Sequence, residues 1–427
     1  MKWYQKVVQV FKIKDLRKKI FFVSIMLVIF RIVANVPLPT IDTSQLKQFF
    51  AGNQLFGLLN IFTGGALSNL SIGMLGMGPY ITAVIIMELL TMIFPALEAL
   101  YKEEGEAGRQ KFNQYGRLLT IPLALLQGFA MLTLLSRQNI IGHLSMFQWF
   151  TSLALVCAGA VFVMWLGELI SEKGIGDGVS ILILAGIVAH VPLSVKEIVV
   201  TYDPSKIPAY IAFLILALVI TAGVVIINEG RRNIPVSYAK QVRGNKMYGG
   251  VSTYLPLNVN PAGVIPIIFA LSIMLFPGMI ASFLGTSSIG WLASFAQWVG
   301  ALFQNQWFYG SIYFALVVLF TYFYTAVTFD PKNVAENLQK MGGFIPGIRP
   351  GQPTVDFLYH ILNRVLLFGA VFLGTIAVLP SVVQGVTGVQ AFGFVIGGTA
   401  LLIIVAVVLD TLRQIESQLT MRDYEGF

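Results

Sequence analysis

The sequence has few charged residues. They make up 11% of its 427 residues, whereas hydrophobic residues make up 56%. Soluble domains carry about 25% charged residues, so this composition argues against a soluble protein and indicates a chain surrounded by lipid. No polar stretch is long enough to hold a separate soluble domain. The net charge of +8 is spread over short segments between apolar runs, which argues against a nucleic-acid-binding face.

Side chains that carry redox, metal or nucleophilic chemistry are also scarce. The single cysteine, Cys157, excludes an intramolecular disulfide. The three histidines, His143, His190 and His360, are far apart and do not have the spacing of a metal site. The sequence contains neither a phosphate-binding P-loop nor a recognisable nucleophile motif. We therefore predict no catalytic residue, no metal site and no cofactor, and we expect that the protein is not an enzyme.

Long apolar runs dominate the sequence instead. About 20 apolar residues in an α-helix cross a hydrocarbon core of about 30 Å. Ten segments fit this length and predict an all-α polytopic membrane protein. The predicted spans are residues 20–37, 74–94, 117–136, 149–170, 179–200, 207–228, 259–284, 307–328, 361–380 and 388–409. The first run lacks a cleavage pattern, so we expect a retained span rather than a signal peptide.

Lys and Arg residues are distributed unequally between the two sides of the predicted bundle. Most of them precede the first span or lie in every second connection. Because positively charged loops stay on the cytosolic side, both termini are predicted to be cytosolic. Arg31 lies inside the first span, where its side chain could extend outward to the interface. Ten spans divide into two halves of five with opposite entry directions, which is the arrangement of an inverted repeat.

Several regions depart from simple spans. The stretch Leu55–Ile72 is rich in Gly, Ser and Asn and predicts a re-entrant half-helix before the second span. The connections 229–258 and 329–360 are each about 30 residues long, and loops of this length are often functional. The N-terminal segment 1–19 is either an amphipathic helix in the interface or a solvated tail.

The carboxylates help to separate the functional classes. An ion-coupled transporter normally places ionisable residues near the middle of the membrane. Here Glu88 and Glu168 lie toward the ends of predicted spans, and Glu229 lies just outside one. The predicted centre is therefore aliphatic, which counts against ion-coupled transport but leaves it as the alternative function. A structural membrane scaffold is a third class.

Five short motifs carry a resemblance to a known family. They occur in order along the chain, at Gly78–Ile81, Glu104–Arg109, Gly174–Gly178, Asn260–Pro266 and Phe344–Gly351. Through these motifs the chain resembles, over essentially its whole length, the SecY family, the central channel subunits of the general secretory translocon.

The resemblance implies ten helices in two inverted five-helix halves around a central pore. The halves would cover residues 20–200 and 201–410, with a cytosolic tail at 411–427. An aliphatic ring forms the constriction in this family. By local motif, the ring falls on Ile81, Ile85, Ile183, Ile187, Ile268 and Ile403. Two pairs of these residues lie four positions apart, on one helix face each. Without the resemblance, ordinary core or lipid-facing isoleucines would be the preferred interpretation.

The resemblance also implies a plug and a lateral gate. The plug is the broken stretch at about 55–72, which would block the resting pore. Its polar and small residues are Asn60, Thr63, Gly64, Gly65, Ser68 and Asn69. The gate toward lipid would open between spans 2–3 and spans 7–8. Its polar residues are Thr82, Gln127 and Ser272.

The implied function is the translocation of unfolded secretory polypeptides across the bacterial cytoplasmic membrane and the lateral release of membrane proteins into it. The pore would be passive, with energy supplied by the motor ATPase SecA or by a ribosome docked on the two long loops. The candidate docking residues are Arg231, Arg232, Lys240, Arg243, Lys246 and Arg349. The small subunits SecE and SecG, signal sequences and unfolded polypeptides are the other implied partners. Direct DNA binding is not expected.

Overall fold

The computed structural model describes residues 12–39, 60, 63–137, 141, 145–200, 204, 207–238, 241–243, 246–248, 252–284, 290–387 and 398–425. Four predicted features lie wholly or partly outside this set. They are most of the N-terminal segment, the first half of the predicted plug except Asn60, the docking residue Lys240, and residues 388–397 of the tenth predicted span.

Helices account for most of the described chain. In sequence order they are α1 (Lys14–Asn35), α2 (Gly78–Ile93), α3 (Pro95–Lys102), α4 (Gly105–Arg137), α5 (Met146–Lys173), α6 (Gly178–Val200), α7 (Ile207–Glu229), α8 (Ile265–Leu284), α9 (Gly290–Gln304), α10 (Gln306–Thr328), α11 (Pro331–Lys340), α12 (Gln352–Thr387) and α13 (Gly398–Glu425). Each of the ten predicted spans overlaps one of these helices, and the all-α polytopic class is confirmed.

Within the described residues, five helices are by themselves long and apolar enough to cross a membrane, namely α4, α5, α7, α10 and α12. A sixth candidate is the pair α2 and α3, which is bent by 110° at Phe94 and Pro95. Pro95 cannot continue the ladder of helical hydrogen bonds, which explains the break. Shorter apolar stretches occupy Gly178–Pro192 in α6 and Ile265–Met274 in α8. The count of ten spans stays a prediction.

Local sequence signals fix several helix starts. Ser145 caps α5 in a reciprocal capping box, in which its hydroxyl accepts from the Gln148 amide and the Gln148 side chain accepts from the Ser145 amide. Asp330 caps α11, and Pro331 occupies the first helical position. Asn305 caps α10, because its side chain accepts hydrogen bonds from the Trp307 and Phe308 amides.

The two long connections form a small sheet that the sequence analysis did not predict. Strand β1 (Arg231–Tyr238) pairs antiparallel with β4 (Ser252–Asn258) and with β5 (Gly343–Phe344). Strands β2 (Gln241–Arg243) and β3 (Lys246–Tyr248) form a separate hairpin. Ile234 and Val236 on the sheet pack into an apolar cluster with Leu338 of α11 and Leu358 of α12. Both connections therefore fold into one unit, which we call the loop unit (the described residues of 231–258 and 329–358).

The helices of each half pack mainly on one another. In the first half, α5 contacts α1, α4 and α6, and α4 contacts α2. In the second half, α12 contacts α7, α10 and α13, and α8 contacts α10. Among the described residues, the larger contacts between helices of the two halves lie in two regions. Helix α8 packs against α2 and α4, which we call the α8 seam, and α13 packs against α6, which we call the α13 seam.

A segment of turns, residues 63–77, lies between these helices and leads into α2. Its backbone pairs with the end of α1, because the Leu38 amide donates to the Leu70 carbonyl at 2.8 Å and the Ile72 amide donates to the Val36 carbonyl at 3.0 Å. A Cβ atom at Gly159 of α5 would overlap the Ile72 carbonyl oxygen, so α5 approaches this segment as closely as backbone allows. The turn segment is therefore packed into the bundle.

Candidate functional site

The six predicted ring isoleucines lie on four helices from both halves. Helix α2 carries Ile81 and Ile85, and α6 carries Ile183 and Ile187, whereas Ile268 is on α8 and Ile403 is on α13. Each is at most 8% exposed, and all six belong to the same apolar cluster. The structure thus places these residues in one common core.

The six isoleucine side chains themselves offer only non-directional contacts. Among the described residues, no Asp, Glu, Lys or Arg belongs to the buried class, and the buried polar residues are all Thr, Ser or Asn. An apolar constriction excludes water and ions through its dewetting, without a selective filter. Such a surface can contact any polypeptide side chain without preferring a particular hydrogen-bonding group.

The predicted plug residues form a hydrogen-bonded cluster at one end of the turn segment. We call it the turn cluster (Asn60 and residues 63–69). The Asn60 side chain accepts from the Ser68 amide at 2.8 Å, and the Thr63 hydroxyl donates to the Asn60 carbonyl at 3.2 Å. The Ser68 hydroxyl donates to the Gly65 carbonyl at 3.0 Å. These local bonds satisfy backbone groups that would be costly to leave unpaired in a membrane.

Helix α1 contacts one side of this turn cluster through two residues. The Arg31 guanidinium of α1 donates to the Gly64 carbonyl oxygen, and Asn69 donates to the Asn35 side chain at 3.2 Å. The expectation that Arg31 extends outward to the interface stays a prediction. A carbonyl oxygen within reach supplies the hydrogen bond that the guanidinium would otherwise seek from water.

The other side of the turn cluster faces α6. A Cβ atom at Gly64 would lie 3.2 Å from the Gly186 Cα atom, and one at Gly65 would lie 3.2 Å from His190 Nε2. His190 Nε2 is buried and has no hydrogen-bond partner among the described residues. The sequence analysis treated His190 as incidental, because an isolated histidine carries no spacing signal.

The structure brings together two of the three predicted gate residues. Gln127 Nε2 on α4 donates to Thr82 Oγ1 on α2 at 3.4 Å, which is a long hydrogen bond. Ser272 on α8 instead donates to the Ile268 carbonyl of its own helix at 2.9 Å. The described polar contact therefore joins α2 to α4, within the first half.

The predicted docking residues lie on the loop unit where they are described. Arg231 and Arg232 are exposed at the start of β1, and Arg349 is exposed after β5. Arg243 and Lys246 face each other in the register of the β2–β3 hairpin. Three cations are thus displayed on one folded unit rather than on two independent loops.

Two of the three carboxylates that a transporter could use are paired with arginines. Glu168 forms an ion pair with Arg117, and Glu229 forms one with Arg413 at 2.7 Å. Glu88 Oε2 is buried without a hydrogen-bond partner in the described part of the chain. Within that part, no group of three His, Cys, Asp or Glu side chains could hold a metal ion.

Comparison with known proteins gives a consistent result. The family model "SecY" matches residues 71–412. The protein translocase subunit SecY of Corynebacterium glutamicum is 43% identical over 98% of this chain and 99% of its own length. The SecY of Mycobacterium leprae is 44% identical, with 97% of each chain covered. No such match favours a transporter.

Solved structures with a similar fold are more distant in sequence. A structure described as that of a protein conducting channel has a TM-score of 0.64 at 18% identity, covering 93% of this chain and 91% of its own. Sec61 in the canine ribosome–channel complex from the endoplasmic reticulum has a TM-score of 0.61 at 17% identity, with the same coverage. These structures share the polytopic helical fold described above.

Proposed function

The chain belongs to the SecY family, and from that premise we propose how its residues perform the work of a protein-conducting channel. The protein is a membrane-spanning translocon subunit and provides a channel for polypeptides. We propose that Ile81, Ile85, Ile183, Ile187, Ile268 and Ile403 form its constriction. The observation that carries this proposal is their common burial in one apolar cluster contributed by both halves.

The physical reason is that an aliphatic constriction lacks polar groups, and this lack serves both the closed and the open channel. Closed, it contains too little polar surface to hold a continuous file of water, and so it resists ion flow. Open, it has no fixed donors or acceptors that would retain a particular sequence. Such a pore suits a cargo whose side chains change at every step.

The turn cluster, which includes Gly64 and Gly65, is the proposed plug of the resting channel. Its support comes from the Arg31 hydrogen bond on one side and the close approach of Gly186 on the other. Because the helices that contact it, α1 and α6, both belong to the first half, the plug moves with that half when the halves separate. Lateral release of membrane segments is proposed to occur along the α8 seam, near Thr82, Gln127 and Ser272.

The loop unit is the proposed docking surface for an energy source. We propose that SecA or a ribosome binds its exposed cations, Arg231, Arg232 and Arg349, and that SecE and SecG are the small membrane partners. The ribosome has a precedent in the Sec61 complex of the same fold. The loop unit and both termini are then cytosolic, and the membrane is the bacterial cytoplasmic membrane.

The constriction can be tested with glycine substitutions. The triple variant Ile81→Gly, Ile183→Gly, Ile403→Gly removes three side chains from the buried cluster, and we expect it to raise ion leakage through resting channels in vesicles. The matched control is Ile211→Gly, Ile215→Gly, Ile226→Gly, because these isoleucines of α7 are more than half exposed. Both variants carry the same helix-destabilising change.

The measurement is the conductance per reconstituted channel, with the amount of folded protein determined in the same vesicles. Leakage that rises in the triple variant and not in the α7 control supports the constriction. Unchanged conductance in both, with both proteins folded, contradicts the assignment of these isoleucines.

A further inference from the structure

The last part of α13 contacts several other parts of the bundle, and none of the roles proposed above explains these contacts. Residues 410–419 extend beyond the predicted tenth span and touch α7, the Gly174–Asp177 connection and the start of α1. We call residues 410–419 the brace. Its partners belong to both halves of the bundle.

Arg413 joins the brace to the end of α7. Its Nη2 atom donates to Glu229 Oε1 at 2.7 Å and to the Asn228 carbonyl at 2.6 Å, and its Nε atom donates to the same Glu229 oxygen at 3.0 Å. An arginine fork that bonds a carboxylate through two nitrogens fixes orientation as well as distance. Asn228 in turn accepts from Asn260 at 2.8 Å, ahead of α8.

Gln414, the next residue, joins the brace to the first half. Its Oε1 atom accepts a hydrogen bond of 2.7 Å from the Gly176 amide. Gly176 has a φ of +88°, and a Cβ atom there would lie 3.3 Å from Thr411 Oγ1 and 2.8 Å from Ile181 Cδ1. A glycine therefore suits this backbone conformation, and a Cβ atom in its place would press on Thr411 of α13.

An apolar cluster completes the attachment. Leu16 of α1 and Ile175 are buried together, and Ile415 and Leu419 of the brace pack against them. Lys19 adds a long hydrogen bond of 3.4 Å to Gln418. Burial of aliphatic side chains contributes more to such a contact than a single exposed polar pair does.

We propose that the brace is a positioning element for the constriction, acting through Ile403 on the same helix. Ile403 lies ten residues before Arg413, about 15 Å along a rigid α-helix. Contacts on α7, on Gly176 and on Leu16 prevent the brace from sliding or rotating, and α13 transmits this restraint to Ile403. The proposal rests on the proposed constriction only for its effect on leakage.

The test separates the brace from the constriction by two readouts. Full-length protein with Cys157→Ala, Glu172→Cys and Ser417→Cys is spin-labelled, because Glu172 and Ser417 are exposed on opposite sides of the α13 seam. Electron–electron resonance then measures the distance between the labels in vesicles. Leakage is measured on the same substitutions in channels without labels.

The central variant is Gln414→Leu, which keeps the size of the side chain and removes the acceptor. We expect a longer and broader distance distribution and a several-fold rise in leakage. Gln414→Glu retains an oxygen acceptor and should restore both readouts. Arg117→Ala breaks an ion pair between α4 and α5 inside the first half, so it should leave both unchanged.

Wild-type distances and wild-type leakage in Gln414→Leu would overturn the proposal. A changed distance with unchanged leakage would also overturn it, since the brace would then be attached without positioning the constriction. If the glycine triple variant does not leak while Gln414→Leu alters the distance, the constriction is wrong and the attachment of the brace stands.

Discussion

The two seams between the halves are built differently. Along the α8 seam, apolar surfaces of α2, α4 and α8 meet, and Ser272 spends its hydrogen bond on its own helix. Along the α13 seam, the Gln414 side chain accepts a hydrogen bond from the Gly176 amide, and a Cβ atom at Gly176 would press on Thr411. An apolar seam can slide and separate in lipid at little cost, because lipid tails replace the lost contacts. The α13 seam, in contrast, loses a specific hydrogen bond when it moves.

The difference indicates where the bundle yields. Hydrogen bonds between helices in lipid are worth about 0.6 kcal/mol on average, so the α8 seam has little polar resistance to opening. The brace adds the hydrogen bond between Gln414 and Gly176 and a buried aliphatic cluster at the other seam. We therefore expect the halves to separate along the α8 seam while the α13 seam stays closed.

The largest effect should come from the apolar cluster against which the brace packs. Ile175→Ala removes a side chain that is 4% exposed, and we expect the free energy of unfolding in micelles to fall by about 2–5 kcal/mol. The control Ile93→Ala, at a position 68% exposed, should change it by less than about 0.5 kcal/mol. Equal losses for the two variants would show that the cluster does not stabilise the α13 seam.

A smaller effect should come from the backbone contact. Gly176→Ala and Gly105→Ala both place alanine at positive φ, +88° and +63°, which costs about 1–3 kcal/mol each. A Cβ atom at Gly105 meets nothing within 4 Å, whereas one at Gly176 meets Ile181 and Thr411. Thermal unfolding should therefore show the greater loss for Gly176→Ala. Identical losses would mean that the α13 seam tolerates a shift of α13.

The smallest effect should come from the polar contact beside the α8 seam. Thr82→Val removes the acceptor of Gln127, a contact within the first half, so the ratio of open to closed channels should change by no more than roughly threefold, the factor that corresponds to about 0.6 kcal/mol. Single-channel recording measures this ratio. Ser272→Ala removes a bond within one helix and should leave it unchanged. A tenfold or larger effect of Thr82→Val would contradict the view that the α8 seam has little polar resistance.

Hydropathy alone was sufficient to predict most of the helices, because lipid requires long apolar segments whatever their packing. It could not predict the loop unit. Strand β1 buries Ile234 and Val236, but their partners Leu338 and Leu358 lie more than a hundred residues later in the chain. A short alternation of this kind carries little signal without its partner surface.

The candidate site divides in the same way. The isoleucines of the proposed constriction have helical spacing, but only the family resemblance separated them from other isoleucines. Gln414 and Gly176 are 238 residues apart and belong to no periodic pattern, so sequence analysis missed the brace. The contact of Arg31 was not predicted, because its acceptor is a backbone carbonyl, which every residue supplies and no sequence marks.

Helix α13 also sets a condition on biogenesis. It is synthesised after every other helix described above, and it contributes both Ile403 and the partners of Leu16 and Ile175. Until it emerges from the ribosome, those two residues lack the cover that Ile415 and Leu419 provide. A nascent or truncated chain therefore displays an aliphatic patch that the finished protein hides. Quality-control proteases and chaperones that recognise exposed aliphatic surface could use this patch to distinguish incomplete channels from finished ones.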